Sequence, residues 1–309
     1  MTIFLAGASG LVGSAVARAA ARRGHRVTGA VGSFPGPIDG LHTQLTLDLA
    51  DEGRTTGAVL DVFPDAIVNC AAVSSPDQVD ANPVPAQALN MDLPARLGRL
   101  AHHLSARLVH LSSEQVFAGA QTSAYTTHDT PAPLNPYGRQ KLLGEQALQA
   151  AAPQFAITLR VPLLMGNSLS GRRSCHERLL IDWAAGRTPG LFIDEYRQPC
   201  TAGNLAEVIV ELCERRDLCG VYHWAGTELI SRYELGRRIR EHFRLSEEQA
   251  PLREARLADQ PELARKRPAC LALDIGPLAS RLKTRPQAIA DQLPELAVPP
   301  ACREWYHRG

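Results

Sequence analysis

The sequence predicts an α/β protein: a doubly wound parallel sheet with a smaller α/β unit interleaved with it. Three observations lead there. Short apolar runs alternate with helix-length amphipathic stretches through residues 1–165. Gly7, Gly10 and Gly13 fall where the first apolar run gives way to the first helix. Beyond about residue 165 the alternation breaks, and a polar, glycine-bearing stretch at 167–173 opens a segment of different rhythm.

Taken in order, Thr2–Ala6 is an apolar run short enough for a buried strand. Leu11–Arg22 follows as a helix whose Ala15, Ala19 and Ala20 permit close packing on a sheet. Residues 25–31 and 41–47 are the second and third strands, and 66–71, apolar except for Asn69, the fourth. Arg107–Ser113 and 155–161 complete a set of six, with connecting helices at 51–62, 85–103 and 136–150. Residues 167–173 read as a loop beside the cleft, followed by a helix at 176–185 and a short strand at 191–194. A helix at 204–215 and a strand at 221–224 come next. The helix at 232–243 offers Tyr233, Leu235, Ile239 and Phe243 to a core, and 270–273 is a last strand after the charged, proline-bearing 247–268. The expected division is a dinucleotide-binding unit at 1–165, with 191–224 returning to it, and a smaller substrate-binding unit from 166–190 and 225–309.

Composition narrows the function. A net charge of +1 gives no electrostatic case for nucleic acid or an anionic membrane. The seven cysteines form no CxxC pair and no zinc-like spacing, so buried free thiols in a reducing compartment and no metal site are expected. The N-terminus enters a strand without the basic start and apolar stretch of a signal peptide, and no apolar run approaches the length of a membrane span. A cytoplasmic protein acting on a small molecule is the expectation.

A glycine-rich turn from strand to helix suits a pyrophosphate, which needs close approach to backbone N–H groups at the positive end of a helix dipole. The stretch Gly7, Ala8, Ser9, Gly10, Leu11, Val12, Gly13 therefore reads as a cofactor loop of a Rossmann-type sheet. The second strand ends without the aspartate or glutamate that would hold a ribose 2′-hydroxyl, and without an arginine for a 2′-phosphate. The balance favours NADP(H) over NAD(H). Asp48 and Leu49 after the third strand could flank the adenine; Asp48 could equally be the N-cap of the following helix.

Tyr137 and Lys141 stand four residues apart on a predicted helix, in a chain with only three lysines. A phenol near pKa 10 shuttles protons poorly at neutral pH unless its anion is stabilised, and a lysine one turn later supplies that charge. Ser113, at the carboxyl end of the fifth strand, lies where such a sheet opens its crevice and could polarise a substrate oxygen; Ser112 is its neighbour. Asn90 sits mid-helix, where asparagine is disfavoured, so a structural hydrogen bond or a water relay should explain it.

These residues, in this order, resemble the extended short-chain dehydrogenase/reductase family, and within it the dTDP-4-dehydrorhamnose reductases and their sugar-nucleotide-binding relatives. The similarity runs through the glycine loop, Asn69-Cys-Ala-Ala72, Leu111-Ser-Ser-Glu-Gln-Val-Phe-Ala-Gly119 and Pro133-Leu-Asn-Pro-Tyr-Gly-Arg-Gln-Lys141. It continues in Tyr196-Arg-Gln-Pro-Cys-Thr-Ala-Gly-Asn-Leu-Ala206, Gly220-Val-Tyr-His-Trp-Ala-Gly226 and Ser231-Arg-Tyr-Glu-Leu-Gly236. The resemblance implies Tyr137 as acid, Lys141 as its partner and Ser113 where the family places threonine or serine. It also implies cofactor contacts at Ala71, Ala72, Asn90 and Pro162. Arg197 matches a position where related epimerases hold a nucleotide diphosphate, with a surface ion pair as its other reading.

The chain departs from that pattern at the substrate end. The reductases usually read Ser-Thr-Asp-Tyr-Val-Phe-Asp-Gly after the fifth strand, where this chain has Glu114, Gln115 and Ala118. Asn204 replaces a family aspartate, and Pro162-Leu-Leu-Met-Gly166 replaces a run that usually bears an aromatic. The resemblance implies an NAD(P)H-dependent reductase of a keto sugar nucleotide, and a homodimer through the helices flanking the site is common in this fold. It leaves two alternatives: an epimerase or dehydratase, with Glu114 as the carboxylate beside the serine, or a non-catalytic dinucleotide-binding regulatory subunit like that of methionine adenosyltransferase.

Overall fold

Alternation of side chains in the first strand already requires two covered faces. In the computed structural model, which describes residues 1–308, Ile3 and Leu5 point into one apolar layer and Phe4 and Ala6 into the other, all fully buried. Such burial stabilises by about 1.5–3 kcal/mol for each large side chain. The strands are β1 (Thr2–Ala6), β2 (Arg26–Val31), β3 (Thr43–Thr46), β4 (Ala66–Asn69), β5 (Arg107–Ser113), β6 (Ala156–Val161) and β7 (Gly220–His223). They form one parallel sheet in the order β7-β6-β5-β4-β1-β2-β3. The predicted doubly wound α/β fold is therefore observed, and the order reverses between β1 and β4, where such sheets open their crevice.

Helix α1 (Leu11–Arg22) uses its small residues as expected: Ala15, Ala19 and Ala20 are buried in the layer that also holds Leu205, Val208 and Leu212 of the helix Ala202–Glu214. On the other face lie α2 (Glu52–Val62) and α3 (Leu93–Leu104). Pro76–Ala81 is a separate short helix; the expected helix at 85–103 is observed as one continuous helical run through Pro83–Gln87 and α3, widened to a π-helical turn at Ala88–Asp92. Pro94 is the physical reason. It has no N–H to give the carbonyl of Asn90, and the Leu93 N–H reaches back five residues to Ala88 instead.

The third and fourth strands are shorter than predicted. At β4, the Asn69 side chain accepts from the Ala71 N–H at 3.1 Å, so the chain bends out of the sheet after Asn69. In the C-terminal half, Gly220–His223 joins the main sheet beside β6, while Gly190–Phe192 pairs with Arg253–Ala255. Tyr196–Arg197 lies between Ile230–Ser231 and Cys270–Leu271 in a small mixed sheet. A separate apolar cluster gathers Met165, Leu180, Trp183, Leu235, Ile239, Phe243 and Leu293; of the four residues expected from the helix Arg232–His242 and its end, Tyr233 is only half-buried. Among the described residues no helix is long and apolar enough to cross a membrane.

Candidate active site

The crevice begins at the glycine loop. Gly7 has φ +79°, and a Cβ there would sit 2.8 Å from the backbone of Ala71, so the turn brings β1 and the strand-end after β4 into direct contact. A Cβ on Gly13 would meet the Gly7 carbonyl at 2.2 Å, which holds the first turn of α1 against the loop. The N-cap Gly10 provides no side-chain cap and no acid lies in the first turn of α1. By contrast α2 is capped by Asp51, whose carboxylate accepts from the Arg54 N–H at 2.9 Å. The first-turn donors of α1 are thus uncapped and framed by a surface without side chains, which fits a dinucleotide pyrophosphate.

Around that loop, Ser9, Gly10, Leu11 and Ala72 are partly accessible, while Val12, Ala71 and Pro162 are buried as its walls. Leu49 is buried, and Asp48 turns its carboxylate on the Ala50 N–H at 2.9 Å. The cap of α2 is therefore Asp51 and not Asp48. At the end of β2, Gly32 and Ser33 are exposed, with no carboxylate among them.

The Tyr137–Lys141 pair is carried by α4 (Pro136–Ala151), capped by Asn135 on the Gly138 N–H at 2.8 Å. A Cβ on Gly138 would lie 2.2 Å from the Gln115 carbonyl, and one on Gly144 2.4 Å from that of Asn90. Two glycines thus let α4 settle directly on the turn after β5 and on the π-helical turn. Tyr137 is buried there, hydrogen-bonded to the Ser113 hydroxyl; burial pushes its phenol up to about 12 against the pull of Ser113. Lys141, one turn on, is 2% exposed. Its Nζ donates to the Leu111 carbonyl at 2.6 Å and lies 3.5 Å from His110 Nε2. Burial lowers its ammonium to about 8, partly opposed by Glu145. His110, itself buried beside that ammonium, is held well below the usual histidine range.

Two neighbouring groups are committed to holding this arrangement. Asn90 is fully buried, accepting from Val73 N–H at 3.0 Å and donating to the Val73 carbonyl and to Gln140 Oε1 at 3.2 and 3.0 Å. It ties the loop after β4 to α4, which is the structural hydrogen bond that its mid-helix position called for. Ser112 hydrogen-bonds the carboxylate of Glu145, which forms a buried ion pair with Arg160 at 2.7 Å. Ser112 faces that pair and Ser113 faces Tyr137.

Directly after Ser113, Glu114 meets Arg197, 3.1 Å away, and both are buried. Arg197 also donates to the carbonyls of Tyr196, Pro268 and Ala269 and pairs with Glu195 at 3.2 Å. Its donors are therefore occupied within the protein, in a buried rather than a surface ion pair. Glu114 keeps its second oxygen without a hydrogen-bond partner, and burial raises its carboxyl to about 8 against the pull of Arg197. Two arginines that sequence reasoning did not single out stand closer to open space. Arg232 is half-buried, beside Glu195 and Cys175, and its guanidinium has no hydrogen bond or ion pair among the described residues. Arg173 is exposed, with Nη1 3.9 Å from the position of a Cβ on Gly10. Neither carries a local sequence signal, since each depends on where a distant segment folds back.

The model of a family described as the RmlD substrate binding domain matches residues 1–299. A probable low-salt glycan biosynthesis reductase of Haloferax volcanii is 32% identical over 242 residues, 77% of this chain and 79% of its own. Methionine adenosyltransferase 2 subunit beta of Pongo abelii is 32% identical over 239 residues, 75% and 69% of the two chains. The crystal structure of a hypothetical dTDP-4-dehydrorhamnose reductase from Sulfolobus tokodaii superposes with a TM-score of 0.82 and 29% identity, covering 96% of this chain and 100% of that one. A dTDP-4-dehydrorhamnose reductase from Bacillus anthracis, solved in complex with NADP, gives 0.80 at 19% identity over 94% and 96% of the chains, a likeness of fold.

Proposed function

The chain belongs to the RmlD substrate binding domain family, and from that premise we propose that it is an NAD(P)H-dependent reductase of a keto sugar nucleotide. The observation that carries the proposal is the Tyr137–Ser113 hydrogen bond with Lys141 one helical turn away, in a sheet whose first strand leads through an uncapped glycine loop into α1. The bound nicotinamide would supply the hydride. Tyr137, protonated at neutral pH, gives its O–H proton to the substrate oxygen as that oxygen becomes an alkoxide. The Ser113 hydroxyl donates a hydrogen bond to the same oxygen and orients the carbonyl. The Lys141 ammonium stabilises the tyrosinate left behind.

The glycine loop would hold the pyrophosphate, and Asp48, Leu49, Ala71 and Ala72 would line the nucleotide. NADPH is favoured because nothing at the end of β2 repels a 2′-phosphate. Arg232 is the guanidinium best suited to meet the anionic end of a nucleotide-linked substrate, since Arg197 is spent on Glu114 and Glu195. The test is NADPH and NADH oxidation against a panel of nucleotide-linked 4-keto sugars. Turnover with at least one sugar supports the proposal; silence across the panel, with cofactor still bound, contradicts it.

A second reading, as a subunit of another enzyme, is favoured by the 32% identity to methionine adenosyltransferase 2 subunit beta. A stable complex with a methionine adenosyltransferase catalytic chain, together with absent ketone reduction, would favour it over the first.

A further inference from the structure

Residues 166–174 return from the smaller unit onto the cofactor loop. A Cβ on Gly166 would lie 3.4 Å from the Leu11 side chain, so the segment leans on the first turn of α1. The carboxylate of Glu177 pins it from behind, accepting from the N–H groups of Ser168, Arg173 and Ser174 and from the Ser168 hydroxyl at 2.7–2.9 Å. Asn167 fastens the other edge, donating to the Glu295 carbonyl at 2.7 Å and accepting from the Ala297 N–H at 2.8 Å. A polar loop tied at this many points presents its remaining side chains in fixed places. Arg173 is one of them. Its main-chain N–H and carbonyl are used within the segment, yet its guanidinium makes no hydrogen bond or ion pair among the described residues. It projects to the open side of Gly10, the most open of the three loop glycines: a Cβ there would meet only the Gly7 carbonyl at 3.2 Å and Arg173 Nη1 at 3.9 Å.

Resting on the cofactor reading above, we propose that Arg173 is a phosphate clamp, a guanidinium delivered by the 166–174 loop that closes over the dinucleotide pyrophosphate from the side opposite the glycine loop. Backbone N–H groups of α1 meet one edge of the diphosphate, and the planar fork of Arg173 meets the other in a bidentate pair. Because the loop belongs to the 166–190 segment, cofactor binding and the placement of the substrate-side elements share one contact. The helix Cys175–Ala184 begins directly after it.

The experiment is fluorescence titration of NADPH, NADH and ADP-ribose into the wild type, Arg173→Gln, Arg173→Lys and, as a control of equal charge loss, Arg172→Gln, a neighbouring exposed arginine. Circular dichroism and Tm establish that each variant folds. The expected result is a roughly tenfold to hundredfold weaker Kd for all three ligands in Arg173→Gln, the usual cost of losing a charge-assisted hydrogen bond. Arg173→Lys should recover part of the loss, and Arg172→Gln should change Kd by less than about threefold through screened charge alone. Unchanged affinities in Arg173→Gln overturn the clamp. A loss confined to NADPH also overturns it, since it places the arginine on the 2′-phosphate. A wild type that binds none of the three ligands overturns the cofactor reading itself, a result separable from failure of the clamp.

Discussion

At the scale of single residues, the site separates groups that titrate in reach of neutral pH from groups that do not. Tyr137 stays protonated to about 12, whereas Lys141 begins to lose its proton at about 8 because burial penalises the ammonium. Ketone reduction needs the phenol protonated and the ammonium charged. The pH profile of kcat/KM should therefore be level near neutrality and fall above about 8, approaching tenfold per pH unit. Lys141→Arg should move that fall beyond reach and lower the plateau; a profile whose alkaline limb stays put in Lys141→Arg would assign the limb to another group. Tyr137→Phe should cost about 10²–10⁴-fold in kcat, with NADPH binding kept. Glu145 and Arg160 bear on stability instead. Arg160→Met leaves a buried carboxylate uncompensated and should cost about 3–5 kcal/mol in denaturant unfolding. Changing both members of the pair to apolar residues should recover much of that loss.

At the scale of elements, close approach of backbones sets the geometry. Gly138→Ala places a methyl 2.2 Å from the Gln115 carbonyl, so α4 must retreat by about an ångström. The expected result is about 1–3 kcal/mol of lost stability and a fall in kcat of about a hundredfold as Tyr137 leaves Ser113. Gly57→Ala is the contrast. Gly57 lies inside α2 with no atom within 4 Å of a Cβ, so alanine should stabilise by about 0.5–1 kcal/mol without altering turnover. Thermal unfolding and initial rates on both variants check the pair. The sequence made β1, α1 and β5 legible to the residue because periodicity and the glycine turn agree there. Helix 85–103 is legible too, but its π-helical turn is not, because apolar spacing carries no trace of the N–H that Pro94 withholds from Asn90. Asp48 likewise looked like a cap, though Asp51 is the residue that reaches the N–H three positions on.

At the scale of the whole molecule, the site draws on segments far apart in the chain. Tyr137, Lys141 and Ser113 could be chosen from sequence because Ser113 ends a strand and Tyr137 and Lys141 lie one turn apart on the helix α4. The environment of Glu114 could not: Arg197 comes from one small strand, while Pro268 and Ala269, whose carbonyls hold Arg197, precede another. The same holds for Arg173, which only the return of 166–174 onto α1 brings to Gly10. The proposed contact of Arg173 with the cofactor predicts that NADPH stabilises the fold, by about 2.7 kcal/mol at a hundred times Kd. Tm should accordingly rise with NADPH concentration, and by less in Arg173→Gln at the same concentration.

The central claim is that this chain moves a hydride to a ketone with Tyr137 as the acid. Its most direct test uses NADPH deuterated at the transferable nicotinamide position, a nucleotide-linked 4-keto sugar, and mass spectrometry of the product. One deuterium is expected on the newly formed carbinol carbon with the wild type and almost none with Tyr137→Phe, although both proteins bind the cofactor. Equal transfer by the two proteins, or none by a wild type that holds both cofactor and sugar, would contradict it.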